Sequence, residues 1–299
     1  MRTAHIYSGQ GSQYKGMNKI FSRFTDYSNK YFNISKDILG YDIHKIISED
    51  PNKKINNTKF TQPAIFIISS IANNIYNDKI GLPDCCAGHS LGEITALYAS
   101  GVLNFEDSLQ LIQKRANSMD KAGKENPGGM LALIKAEKPQ IDLILKETSL
   151  SIANINSPNQ IILSGAISSI DLSISLCKKN KIRAIKLPVS GAFHSSLMIS
   201  ASDALLETIN QLNFKDANIP IYQNFNAKPT TDKDLIKDNL IKQMTSPVLW
   251  EDTINNMVKD DVKLFVEIGP KKVLTGINKS MNINSTYKSF EDLIENESI

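Results

Sequence analysis

Cysteine is scarce in this chain: three residues, with Cys85 and Cys86 adjacent and Cys177 far from both. That pattern builds neither a disulfide framework nor a C-x-x-C site, and it predicts reduced thiols in a cytoplasmic protein. An excess of one charge is also missing. The 34 basic and 31 acidic side chains leave +3, which argues against a nucleic-acid binder with a clustered basic excess. No run reaches the roughly 18 apolar residues that span a bilayer, and the opening MRTAHIYSGQGSQ lacks the apolar segment of a signal peptide. Internal repeats and low-complexity linkers are absent. Histidine is rare, four residues in all, so a search for a catalytic base becomes one of elimination.

What is there is the composition of an ordinary globular protein, 41% hydrophobic and 22% charged over 299 residues. Such a chain can bury a sizeable core in one large domain or two smaller ones. Strand and helix patterns alternate, which predicts an α/β fold. A first strand near 4–8 runs into the loop SGQGSQ. QPAIFIISSIANNIYN reads as a buried helix and residues 84–87 as a short strand. From Leu91 the apolar residues Leu91, Ile94, Leu97 and Tyr98 recur at helical spacing.

A further helix begins at Asn104, an N-cap with Glu106 and Asp107 in the first turn. Its apolar stripe of Leu109, Ile112, Ala116 and Met119 includes Arg115. A guanidinium facing inward needs an anion or several acceptors; the alternatives are snorkelling to water or pairing with a structural carboxylate. After a break at GKENPGGM the order reads strand 130–135, helix 138–147, strand 151–154, strand 160–164, helix 168–180, strand 182–188. That βαββαβ order matches a small ferredoxin-like unit. It is an insertion, because strand patterning resumes in NIPIYQNFN and KLFVEIGP. The predicted division is a discontinuous large domain, 1–123 and 196–299, carrying a small subdomain at 124–195. The terminal NESI is expected to fray.

Within CCAGHSLGEITALYASG, Ser90 stands between Gly88 and Gly92, after a strand and before a helix. There a G-x-S-x-G segment reads as a nucleophile turn. Glycines on either side remove the Cβ atoms that would block so sharp a bend, and the serine projects above the sheet at a helix N-terminus. The N–H of Leu91 is then a natural oxyanion donor. The alternative is a serine N-cap with incidental glycines. A nucleophilic serine needs a base. His5 lies in the first strand and His44 in an amphipathic segment, and both read as structural or solvated. His89 adjoins the nucleophile and points away from it. His194, in PVSGAFHSSLM after a strand end, is the best candidate. No Asp or Glu declares itself as its orienting partner. Asp203 is nearest but lies on a predicted helix, and a backbone carbonyl would leave a Ser–His dyad.

With Ser90, Arg115 and His194 in hand, the chain resembles the malonyl-CoA:acyl carrier protein transacylases of fatty acid synthesis, from YSGQGSQYKGM to VEIGPKKVLTG. GQGSQ is similar to the family's first-strand loop, GHSLGE to its nucleophile turn and QKRANSM to its carboxylate-binding helix. NINSPNQIILSG resembles the small domain's hairpin, VSGAFHSSLM the histidine loop and KQMTSPVLW a later segment. The resemblance implies Ser90 as the acylated nucleophile, His194 as general base, and the N–H groups of Gln10 and Leu91 as oxyanion hole. It implies that Arg115 grips the malonyl carboxylate bidentately, which lysine does not reproduce. The main-chain carbonyl of Gln243 would accept from His194, and Met119, His89 and Asn156 would line the pocket. The implied fold is an α/β-hydrolase-like core with a parallel sheet and the inserted ferredoxin-like subdomain.

The implied partners are malonyl-CoA and an acidic acyl carrier protein that brings its own phosphopantetheine, with no metal or redox cofactor in this chain. CKKNKIR and Lys271–Lys272 are candidate basic patches for that partner, and a monomer is expected because no stripe demands a second copy. Two positions depart from the family pattern: Ser8 and Ala192 stand where proline is usual. GAFH instead resembles the malonyl-selecting HAFH segment of polyketide-synthase acyltransferase domains, so Phe193 is expected to crowd an α-methyl branch. The rival readings are a thioesterase or esterase on the same turn, a stand-alone acyltransferase of a polyketide synthase, and a non-catalytic relic of the fold.

Overall fold

A computed structural model describes every residue except Ser190, Glu297 and Ile299. The expectation that NESI frays falls partly on Glu297 and Ile299, outside the described residues. Among the described residues, ten strands form two sheets: β1 (Arg2–Tyr7), β2 (Cys85–Gly88), β3 (Gly128–Ile134), β4 (Ser151–Ser157), β5 (Gln160–Ala166), β6 (Arg183–Lys186), β7 (Ile221–Tyr222), β8 (Pro229–Thr230), β9 (Val262–Ile268) and β10 (Thr286–Ser289). The larger sheet has the order β10-β9-β1-β2-β7-β8, parallel as far as β7, with β8 antiparallel at the edge. The smaller is wholly antiparallel, in the order β4-β5-β3-β6.

The short, apolar inner strands follow from burial on both faces, as parallel sheets require. Alternate residues of β1 feed two cores. Ala4 and Ile6 pack with Cys85, Ala87, Trp250 and Phe265, while Tyr7 faces the core built on the helix Thr58–Lys79. The same alternation divides β3. Leu131 and Leu133 pack under the helices Lys138–Thr148 and Ile167–Lys179, and Met130 and Ala132 face the larger core.

The helix Phe105–Glu125 starts at Asn104, whose Oδ1 accepts the Asp107 N–H at 2.7 Å. The smaller sheet is tied to the segment before the helix Trp250–Lys259 through Val248, whose N–H donates to the Ala153 carbonyl at 2.8 Å and whose carbonyl accepts the Ile155 N–H at 2.9 Å.

Several elements differ from the sequence expectation. NIPIYQNFN holds a two-residue strand, because Gln223 and Asn224 leave the ladder for buried side-chain hydrogen bonds. β8 and β10 were not expected; both lie at the edges of the sheet, where the apolar pattern is weak. Of the two readings open for His5, structural or solvated, the structural one holds: it is fully buried, edge-on to Tyr76 at 4.7 Å between centroids. Among the described residues, no helix is long and apolar enough to cross a membrane.

Candidate active site

Tyr7 and Gly88 pair at the carboxyl ends of β1 and β2, so the loops that follow, 8–13 and 89–90, emerge side by side. In open α/β sheets that edge is where ligands bind. Ser90 takes φ 53° and ψ −107°, a sparsely populated conformation. The glycines permit it. A Cβ on Gly88 would overlap the backbone of Gly92, and one on Gly92 would overlap the Tyr7 carbonyl.

The Ser90 hydroxyl meets two groups. His194 Nε2 lies 2.8 Å from Oγ, and Arg115 Nη2 donates to Oγ at 3.1 Å. His194 Nδ1 lies 3.0 Å from the main-chain carbonyl of Gln243, which fixes the tautomer with Nδ1 as donor and Nε2 as base. Burial, and then the nearby charge of Arg115, push the His194 imidazole down from its ordinary value to about 3. A neutral base is the result.

Arg115 reaches the site because the helix Phe105–Glu125 turns its apolar stripe inward, and the side chain is 1% exposed. The snorkelling alternative therefore fails. Its Nη1 donates to Gln62 Oε1 at 2.7 Å and its Nη2 to Gln243 Oε1 at 3.2 Å, while Nε has no acceptor among the described residues. Burial draws its pKa down to about 10, which leaves it protonated at neutral pH. A buried cation held by neutral oxygens, with one N–H unpaired, is a site for an incoming anion.

These groups line a cavity of about 280 Å³. Gln10, His89, Leu91, Met119, Asn156 and Phe193 all contribute to its wall. The amides of Gln10 and Leu91 have no acceptor among the described residues, so both are free to bind an oxyanion. The Gln10 side chain is held by Thr58, whose hydroxyl donates to Oε1 at 2.9 Å. His89 turns away from Ser90, with Nε2 2.8 Å from Asn156 Oδ1. Phe193 borders Gly191, where an added Cβ would press on the ring at 2.7 Å. Asp203 lies on the helix Ile199–Gln211 and is not part of the wall. Lys272 pairs with Asp292, and Lys271 sits 5.7 Å from the Tyr14 ring centroid.

Sequence reasoning missed three members of the network. Gln62 and the side chain of Gln243 hold the guanidinium, and Asn224 binds the nucleophile turn, Oδ1 accepting the Ser90 N–H at 2.7 Å. The available signal was polar residues inside apolar patterns, in FTQPAIF and IYQNFN. No cluster of three or more His, Cys, Asp or Glu side chains suited to a metal occurs among the described residues.

Residues 4–298 match the family model described as acyl transferase domain. The malonyl CoA-acyl carrier protein transacylase of Bacillus subtilis (strain 168) is 36% identical over 287 residues, covering 94% of this chain and 90% of that protein. The crystal structure of malonyl CoA-acyl carrier protein transacylase from Clostridium perfringens matches with TM-score 0.92 at 36% identity, covering 100% of this chain and 96% of that one. A type II polyketide-synthase acyl carrier protein in complex with its malonyl-transacylase gives TM-score 0.92 at 30% identity, with 99% and 100% covered.

Proposed function

The chain belongs to the acyl transferase family, and from that premise we propose that it moves a malonyl group from CoA to the phosphopantetheine thiol of an acidic acyl carrier protein. The observation that carries this reading is the placement of Ser90 Oγ between His194 Nε2, at 2.8 Å, and the buried Arg115, at 3.1 Å. The base serves the nucleophile. The cation selects an acyl group that ends in a carboxylate.

In the first half-reaction His194 Nε2 takes the Ser90 proton as Oγ bonds to the thioester carbon. The tetrahedral oxyanion is held by the Gln10 and Leu91 amides, each worth about 3–4 kcal/mol in such sites. The C–S bond then breaks, and His194 returns the proton to the departing CoA thiolate. In the second half-reaction the carrier thiol gives its proton to His194, and its sulfur attacks the ester. The C–Oγ bond breaks and Ser90 is reprotonated. No electron is gained or lost, so the chemistry asks for no redox cofactor. The malonyl carboxylate on Arg115 offsets the charge that depresses His194, so substrate binding strengthens the base when it is needed.

The malonyl-carrier product would feed cytoplasmic fatty acid synthesis, with a polyketide synthase as the other consumer of the same product. Phe193, packed against Gly191, favours malonyl over methylmalonyl; equal kcat/KM for the two thioesters would end that claim. The large sheet is read as an α/β-hydrolase-like core over 1–123 and 196–299, with 124–195 as a ferredoxin-like insertion and the protein as a monomer. The order β4-β5-β3-β6, with both helices packing on Leu131 and Leu133, supports the insertion.

The test is intact-mass spectrometry after brief mixing with malonyl-CoA, acetyl-CoA or buffer. A malonyl adduct on Ser90, lost in Ser90→Ala, is the expected result. Steady CoA release without adduct would mean a hydrolase, and neither adduct nor release would end the proposal.

A further inference from the structure

The strained turn at Ser90 is held by a side chain that no motif marks. Asn224 follows β7 and is fully buried. Its Oδ1 accepts the Ser90 N–H at 2.7 Å, and its Nδ2 donates to the Gly88 carbonyl at 2.6 Å. One carboxamide therefore bridges the nucleophile, Ser90, and Gly88 two positions before it. Its donor and acceptor cannot exchange places without losing both bonds.

Asn224 is itself fixed from both ends. Its N–H donates to Glu93 Oε2 at 2.6 Å, and its carbonyl accepts the Leu249 N–H at 3.0 Å. Glu93 lies in the first turn after Ser90 and is fully buried with no salt-bridge partner among the described residues. Gln223 Nε2 donates to its other oxygen at 3.3 Å, and Gln223 Oε1 accepts from Asn239 Nδ2 at 2.9 Å. A buried carboxylate so placed is costly to keep. Its contacts serve the segment that clasps the nucleophile turn.

A conformation such as φ 53°, ψ −107° persists only where its surroundings over-determine it. The glycines make room for the bend but do not pull the chain into it. Asn224 contributes two hydrogen bonds to the turn, and Gln243 Nε2, donating to the Ser90 carbonyl at 3.1 Å, a third.

We propose that Asn224, anchored by Glu93, is a positioning residue that clamps Gly88 and Ser90 so that Oγ stays in reach of His194 and the Leu91 amide faces the cavity. Asn224 touches neither thioester nor proton. It occupies the Ser90 N–H and leaves the next amide, that of Leu91, to the oxyanion. The inference rests on the acyl transfer proposed above, although the clamp acts on the serine whatever acyl group it takes.

The experiment uses the full chain as wild type, Asn224→Ala, Asn224→Asp and Ser90→Ala, with two probes. A fluorophosphonate reads the presented nucleophile: Oγ displaces fluoride at phosphorus and the serine proton leaves through His194. Rapid-quench acylation by malonyl-CoA reads the natural step. In Asn224→Ala the maximal rate with both probes should fall about 100-fold, the scale of an ångström-sized misplacement, with half-saturation within about twofold; the stranded Ser90 N–H and Gly88 carbonyl should lower Tm, with the chain still folded at the assay temperature. Asn224→Asp keeps the Ser90 acceptor and loses the Gly88 donor, so it should recover part of the rate.

Wild-type rates in Asn224→Ala, or in Asn224→Asp at a pH where its carboxyl is ionised, overturn the clamp, as does a loss that appears in KM alone. If Asn224→Ala does not fold, Asn224→Asp decides by the same criterion. A wild type that takes fluorophosphonate but no malonyl group ends the proposed function, and the labelling ratio still decides the clamp.

Discussion

His194 Nδ1 meets the main-chain carbonyl of Gln243 at 3.0 Å, while the side chain of the same glutamine accepts from Arg115 at 3.2 Å and donates to the Ser90 carbonyl at 3.1 Å. One residue thus orients the base with an atom that no substitution removes, and steadies the carboxylate site with atoms that one does remove. Gln243→Ala should lower kcat/KM for malonyl-CoA about tenfold, the scale of one hydrogen bond to a charged group. The acid limb of its pH profile should stay in place. His194→Ala should cost about 1,000-fold or more in acylation. A shifted acid limb in Gln243→Ala would contradict this separation of roles.

Arg115 has neutral oxygens for partners and an unpaired Nε. Arg115→Ala should reduce malonyl acylation about 100-fold, as expected for a lost bidentate ion pair, and Arg115→Lys should not restore it. Acetyl-CoA should gain relative to malonyl-CoA. An unchanged ratio of malonyl to acetyl adduct, read by mass spectrometry, would refute carboxylate selection.

His194 is held near 3 in the fold against 6.5 in the unfolded chain. The unfolded state therefore binds the extra proton in that window, so the stability owed to this group is complete above pH 6.5 and is lost as pH falls toward 3. Glu93 and Glu267, raised by burial to about 7 from 4.5, act oppositely and lose their contribution as pH rises through that range. Denaturant melts between pH 4 and 7 should show a smaller loss on acidification in His194→Gln than in wild type. In Arg115→Gln the His194 midpoint, followed by NMR, should move up, because a depressing charge is gone; no movement would count against that coupling.

Lys178, Lys179, Lys181 and Arg183 form an exposed run with no ion pair among the described residues, whereas Lys272 is already paired with Asp292. Charge reversal in that run should raise KM for the carrier protein and leave acylation by malonyl-CoA unaltered. Reversal at Lys272 should matter less. Steady-state kinetics with both substrates distinguishes the two, and an unchanged carrier KM would remove the run from the interface.

Gly92 packs against the Tyr7 carbonyl, and an added Cβ would overlap it. Gly92→Ala should destabilise the protein by about 3 kcal/mol, the upper range for overpacking, and should lower acylation through displacement of Leu91. A thermal melt unchanged from wild type would contradict the close approach.

The sequence alone determined the local grammar of this protein. Periodicity placed the helix after Asn104 and put Arg115 on its inward face, because a helix repeats its contacts every three to four residues. Gly88, Ser90 and Gly92 announced a sharp turn, because a missing Cβ leaves a mark at fixed spacing. With four histidines in the chain, elimination led to His194. Tertiary structure decided everything that depends on approach across long chain separations. Gln243 meets His194 from 49 positions away, and Asn224 meets Ser90 from 134. No periodicity encodes which polar residue in IYQNFN leaves its strand to hold a distant turn. Nor could composition foretell that Met130 and Ala132 help line the cavity at Ser90, from one face of a sheet whose other face packs its own helices. Such pairings are set by packing, where each buried polar atom takes whichever partner the folded chain brings to it.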